Sequence, residues 1–345
     1  MTITKVTDAG LNKSRIVTPL IINGDMAIAQ RATSTTGIGA DTAFVCDRWA
    51  YRKGGSPSFR ATISQSTTVP TGQGFATSLK VDCTTAQSSL SSGDRFGIDQ
   101  KIEAQNLVNL KQGTSSADKT TLSFWVRSNL TGQFNIWIYK PDGTARSFVK
   151  AYTISSADTW EKKIINIPAD TDSSGAVDND TGEGWRVTWM LAAGSTFCSG
   201  SIATSWEDYN NANIGVSQTN FGSSTDNEFY LAGVQIEVGE FDSNTIPSFP
   251  FEDHEANLRR CTRYFNDMAG MVMWTTFIDG NTSNRGAGHF AFSNTMRATP
   301  SASKTNNAGT IDSQTITNKS YHVLAEANSR GTTTHVTDIE LDAEI

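Results

Sequence analysis

The chain has 345 residues, of which 37% are hydrophobic and 18% charged, with Ser, Thr, Asn and Gly filling the gap; that mix favours short strands joined by polar turns over the long surface helices of an ordinary cytosolic enzyme. Its 8 Trp, 17 Phe and 7 Tyr supply ample apolar area for cores, which argues against disorder. A net charge of −7 with no Lys/Arg block argues against nucleic-acid binding by phosphate neutralisation.

Residues 1–19 are polar and read as an N-terminal attachment arm, without the apolar stretch of a signal peptide. Phe75–Cys83 then alternates through Leu79, Val81 and Cys83. Ile102–Leu110 has the look of a short helical turn. Thr121–Asn129 places Leu122, Phe124 and Val126 on one face and Ser123, Trp125 and Arg127 on the other. In Gln133–Lys140 the inward set is Phe134, Ile136 and Ile138, opposite Asn135, Trp137 and Tyr139, and in Trp185–Leu191 it is Trp185, Val187, Trp189 and Leu191. This period of two marks half-buried antiparallel strands. Turns fall at Pro70-Thr-Gly72, Pro141-Asp-Gly143 and Ser174-Gly175. No strand–helix–strand rhythm is present, so the expected fold is all-β, a jelly-roll β-sandwich over residues 20–250. The extended run Ile246–Phe251, stiffened by two prolines, marks a boundary. Residues 251–345 are expected to hold a short linking helix, Glu255–Phe265, and a smaller C-terminal β domain with strands near Met271–Phe277, Gly288–Ser293, Ser320–Glu326 and His335–Leu341.

Catalytic signatures are missing. His254, His289, His322 and His335 make no metal pattern, and there is no nucleophile elbow, dinucleotide fingerprint or phosphate loop. The expectation is a protein without enzymatic activity; a glycosidase is the alternative, since its two carboxylates need not be close in sequence. Cys46, Cys83, Cys198 and Cys261 are far apart and read as four buried free thiols, with one or two disulfides as the alternative. No apolar run reaches the ~18 residues of a membrane span.

Two features are candidate sites. The spacing of Asp170, Asp172, Ser174, Gly175 and Asp178 imitates the first part of a calcium loop, but Thr181 stands where the bidentate Glu belongs, so the segment reads either as an acidic turn or as a weak calcium site. Trp125, Trp137 and Tyr139 share the face opposite the assumed core and are candidates for stacking on sugar rings, with Trp206 and Tyr209 of the polar segment Ser205–Asn211 as loop alternatives; packing in the core or between subunits is the competing role.

Several segments in order resemble a family of phage tail-fibre and virion-surface proteins common in marine podoviruses. They are Leu20-Ile-Ile-Asn-Gly-Asp-Met-Ala-Ile-Ala-Gln-Arg31, Asp47-Arg-Trp49, Gln65–Phe75, Ile102–Leu107, Leu122–Ser128, Tyr152–Trp160, Phe229–Gly239, Pro250-Phe-Glu252 and Leu258–Tyr264, followed by Phe292–Pro300 and Leu341–Ile345. The resemblance implies a non-catalytic virion protein with a carbohydrate-binding-module-like jelly roll. Such a protein is expected to be a homotrimer, to contact other virion proteins and to bind a host-surface glycan, with no nucleic acid or membrane involved. Assembly in the host cytoplasm and release by lysis reconcile an extracellular composition with the missing export signal. Jelly-roll carbohydrate modules often hold a structural calcium through an Asn-Gly-Asp-Phe-Glu motif and an Asp in the last strand. Here the stretches read Asn23-Gly-Asp-Met-Ala27 and Leu231-Ala-Gly-Val234, so neither the Glu nor the Asp is present. The two functional expectations are a tail fibre or fibre tip for host attachment, and a capsid or tail decoration or cement protein with no receptor role, which the short arm favours.

Overall fold

The computed structural model of the chain describes residues 18–39, 43–268, 273–276, 285–308, 310–326 and 333–345. Two units divide after Glu252, each with its own core. Most of the arm 1–19, and the ends of the expected strand Met271–Phe277, lie outside the described residues.

The first unit is a sandwich of two antiparallel sheets. One sheet runs in the order β1 (Ser34–Ile38), β4 (Arg60–Ser66), β5 (Ser78–Thr85), β13 (Glu228–Val238), β7 (Thr120–Ser128) and β10 (Glu161–Ile167). The other runs β12 (Glu207–Asp208), β9 (Arg146–Ile154), β8 (Gly132–Lys140), β11 (Glu183–Ala193), β6 (Arg95–Glu103), β3 (Ala50–Gly54) and β2 (Ala43–Phe44). The chain passes repeatedly from sheet to sheet, as a jelly roll does. Period-two alternation places the expected residues in the core: Leu122, Phe124 and Val126 of β7, Phe134, Ile136 and Ile138 of β8, and Val187 and Trp189 of β11 are fully buried. Trp189 is met edge-on by Trp49 and Phe124, at ring centroid distances of 5.4 Å each, and Phe59 stacks on Phe96 at 4.1 Å. Each such side chain removed from water is worth about 1.5–3 kcal/mol.

The segment resembling the calcium motif has a backbone task. Asn23, at φ 55°, donates its side-chain amide to the carbonyls of Ile28 and Asp47, and its own carbonyl accepts the Trp49 indole N–H. Gly24 lies against β13, where its carbonyl accepts the Val234 N–H at 2.9 Å. A Cβ on Gly24 would stand 2.2 Å from the Val234 carbonyl oxygen, so glycine is required there for close approach.

Between β11 and β12 the chain makes one short helix, α1 (Ser195–Cys198), and a loop that turns back over the second sheet. Phe197, Cys198, Ile202, Tyr209 and Ile214 pack on Trp137, Val149 and Met190, on the face away from the core. The expected helical turn at Ile102–Leu110 is two 3-10 turns, Ala104–Asn106 and Val108–Leu110, because Ile102 and Glu103 remain paired in β6.

The second unit opens with α2 (His254–Cys261), capped by the Asp253 carboxylate, which accepts the Glu255 N–H at 3.0 Å. Glu255 in its first turn and Arg259 and Arg260 in its last suit the helix dipole. The helix stops short of the expected Phe265, because Phe265 pairs with Asp342 at the start of a strand. One sheet of this unit holds β14 (Phe265–Met268), β15 (Met273–Thr276), β17 (Ser301–Ala308) and β20 (Thr333–Asp342), all paired to β20; the other runs β16 (Arg285–Ala291), β19 (Ser320–Glu326) and β18 (Thr310–Ile316). Met296, Tyr321, Val323, Ile339 and Leu341 form its core. The four cysteines are free thiols; Cys46, Cys83 and Cys261 are buried as expected, whereas Cys198 is half-buried at the end of α1. Among the described residues no helix is long and apolar enough to cross a membrane.

Candidate functional site

The outer face of the seven-stranded sheet carries a cluster of charged and aromatic side chains. The alternation that sends Phe96, Ile98 and Ile102 of β6 inward turns Arg95, Gly97, Asp99 and Lys101 outward. In β11 the outward set is Arg186, Thr188 and Met190, and in β8 it is Trp137 and Tyr139. The register aligns them across strands, with Trp137, Thr188 and Asp99 in one row and Tyr139, Arg186 and Lys101 in the next. A pocket of about 200 Å³ opens on these rows, lined by Arg52, Arg95, Asp99, Trp137, Arg186 and Thr188 among others. It is smaller than the ~300–1,000 Å³ typical of sites for drug-sized ligands, so it suits a single small group.

The floor of the pocket is charged. Arg52 donates its Nε–H to both oxygens of Asp99, at 3.0 and 3.3 Å. Arg186 pairs with Glu183 at 2.9 Å and stands 4.0 Å from Asp99, while Lys101 reaches Glu183 at 2.7 Å. Burial raises the Asp99 carboxyl from 3.8 to about 6, against the pull of Arg52, Arg186 and Lys101. For Glu183, burial works the same way, but the bonds from Arg186 and Lys101 outweigh it and hold the carboxyl below its ordinary value. Burial also lowers the Lys101 ammonium, offset in part by Glu183.

The wall of the pocket is aromatic. Trp137 is only 4% exposed, stacked on Tyr209 at 5.9 Å, with Tyr139 at 5.6 Å. The Arg95 guanidinium lies over both Trp137, at 5.1 Å, and Phe197, at 4.8 Å. Trp137 Nε1, Thr188 Oγ1 and Arg95 Nη1 are buried and have no hydrogen-bond partner among the described residues. Arg186 Nε is a fourth such atom in the lining, and each is a buried group with unused hydrogen-bonding capacity.

No protein-family model matches the chain, and no curated protein matches it. Solved structures similar to it include the enzymatically active domain of tailspike protein 4 of bacteriophage CBA120, at 12% identity and a TM-score of 0.32, over 56% of this chain and 19% of that one. A family 11 carbohydrate-binding module of a cellulosomal cellulase of Clostridium thermocellum matches at 13% identity and 0.32, over 60% and 96%. A xylan-binding domain from Paenibacillus barcinonensis matches at 12% identity and 0.29, over 63% and 99%. The chain thus spans about a fifth of the tailspike chain and nearly all of the two binding modules.

The structure brings together three of the five aromatic candidates, Trp137, Tyr139 and Tyr209. Trp125 is set apart from them. It faces outward from β7, in the six-stranded sheet, so the two sheets of the sandwich separate it from Trp137 and Tyr139. Trp206 is a core residue, 6% exposed, packed on Trp185 at 5.6 Å and donating its indole N–H to the Pro168 carbonyl at 2.8 Å.

The three carboxylates of the calcium candidate, Asp170, Asp172 and Asp178, have separate partners. Asp170 is 1% exposed and accepts from Lys140 Nζ at 2.6 Å and Arg146 Nε at 2.8 Å. Asp172 caps a 3-10 turn by accepting the Ser174 N–H, and Asp178 is exposed, its N–H on Asp142. Among the described residues no group of three His, Cys, Asp or Glu is placed to hold a metal ion.

Sequence reasoning missed Arg52, Arg95, Asp99, Arg186 and Thr188. The signal was present for β11, because a strand that buries Trp185, Val187 and Trp189 must present Arg186, Thr188 and Met190 on its other side.

Proposed function

We propose that this chain is a non-enzymatic phage virion protein, a tail fibre or fibre tip, whose sandwich binds a host-surface glycan in the outer-face pocket beside Trp137. The observation that carries the reading is the set of buried, unpartnered donors and acceptors, Trp137 Nε1 and Thr188 Oγ1, against an aromatic wall. Sugars offer apolar ring faces with hydroxyls at their edges, and such a surface complements both. The ordered resemblance of residues 20–265 to virion-surface proteins supports the particle setting, with other virion proteins and a homotrimer as partners. The two carboxylates at the site are engaged by cations, Asp99 by Arg52 and Glu183 by Arg186 and Lys101, which supports binding without cleavage.

The test is retention of purified protein on bacterial envelope polysaccharides, with released reducing ends measured in parallel. Thr188→Val keeps the shape of the site and removes one hydroxyl; it should lower retention severalfold without shifting the unfolding midpoint. Trp125→Ala, on the other sheet, should leave retention unchanged. Release of reducing ends would overturn the non-enzymatic reading. Absence of retention on every polysaccharide would move the chain to the capsid or tail decoration role.

A further inference from the structure

The charge of the pocket is opposite to that of the chain. Four cationic residues, Arg52, Lys53, Arg95 and Arg186, line it against one carboxylate, Asp99, in a protein of net charge −7. Asp99 is bonded by Arg52, while Arg186 pairs with Glu183 and keeps its Nε 4.0 Å from Asp99. Arg95 makes no ion pair with any described residue. Its guanidinium faces are taken by Trp137 and Phe197, so only its N–H edge is left to bond, and Nη1 is buried without a partner. An arginine held by its faces with its edge unused is preorganised for an anionic oxygen, which guanidinium recognises by directed hydrogen bonds.

We infer that the pocket takes a sugar carrying an anionic group, held by the N–H edge of Arg95 with the sugar hydroxyls on Thr188 and Trp137. The inference rests on the glycan-binding reading and names its ligand class. Carboxylate sugars and sugar phosphates share the chemistry, and neutral sugars lack it. The groups around the anion are Arg95, Asp99 and Lys101 of β6, Arg52 and Lys53 of β3, and Arg186 and Glu183 of β11. Of these, Asp99 is the like charge nearest the pocket floor. Protonation of Asp99 removes that charge, so binding of the anion tightens as pH falls from 7.5 to 5.5, provided the ligand itself stays ionised.

The experiment uses the full chain and oligosaccharides ending in glucuronic acid, N-acetylneuraminic acid or a sugar phosphate, each beside its methyl ester or dephosphorylated form. The expected result is a roughly tenfold preference for one charged member over its neutral pair at pH 7.5, weakened by salt and widening at pH 5.5. Arg95→Gln should erase that preference, so that the charged and neutral members bind equally. If that variant does not fold, the pH and salt series on the unaltered chain decides. Equal binding of charged and neutral members overturns the inference and leaves the glycan site standing. Binding of no member overturns both.

Discussion

At the scale of single residues, the buried charges decide most. Lys140 is fully buried, and burial lowers its ammonium; the Asp170 carboxylate opposes that and also receives Arg146. Removing one partner of a buried pair leaves an uncompensated charge, so Asp170→Ala should cost about 3–5 kcal/mol of stability in urea unfolding. Because these cations fill the loop, millimolar calcium should leave the melting temperature unchanged, and a calcium-dependent rise would restore the metal reading. Asp99 behaves in the opposite sense. Its native carboxyl is raised from 3.8 to about 6, so between those values the native state holds a proton that the unfolded chain has lost. The contribution of Asp99 to stability is therefore greatest below about pH 4 and falls as pH rises through 6, by on the order of 3 kcal/mol. Carboxyl NMR should find its titration midpoint near 6; a midpoint at the ordinary carboxylate value would refute the burial argument.

At the scale of elements, close backbone approach and strand alternation govern. Gly24 meets the carbonyl of Val234 in β13, so Gly24→Ala must push the Asn23 turn away from the sheet. The expected loss is about 1–3 kcal/mol, read as a lower unfolding midpoint with unchanged far-UV circular dichroism. Alternation made the core legible, since in β7, β8 and β11 the inward residues follow directly from the period of two. It did not reveal which outer faces belong together. The three residues between β7 and β8, Asn129–Thr131, join strands that lie in opposite sheets. Trp125 and Trp137, expected to share one outer face, are therefore not neighbours. Trp206 was hidden for another reason: its neighbours in sequence are polar, and only the tertiary fold carries its ring onto Trp185 and Phe148. The pocket was half legible, because a strand with a known buried face also has a known outer one.

At the scale of the whole molecule, each of the two units has its own core, so each should fold separately. Residues 18–252 contain both sheets of the sandwich and the whole outer-face pocket. Expressed alone, they should unfold cooperatively and keep the ligand affinity of the full chain. Loss of cooperative unfolding would show that the second unit is required. The proposed homotrimer is a claim at the same scale. Light scattering at micromolar concentration should report three times the chain mass of 37.3 kDa, and a monomer would contradict it.

Beyond β11, α1 and the segments on either side of β12 lie over the outer face of β8 and β11, with Tyr209 stacked on Trp137 and Phe197 and Ile202 in the same apolar cluster. They work as a dam across the sheet. If the pocket takes a glycan, a long polymer should not lie along the full width of the face, and a terminus or a side branch should enter the pocket. Capacity should then follow the number of polymer ends rather than polymer mass. Shearing an unbranched polysaccharide into short pieces should raise the moles of protein bound per gram at saturation, in proportion to the new termini counted by reducing-end assay.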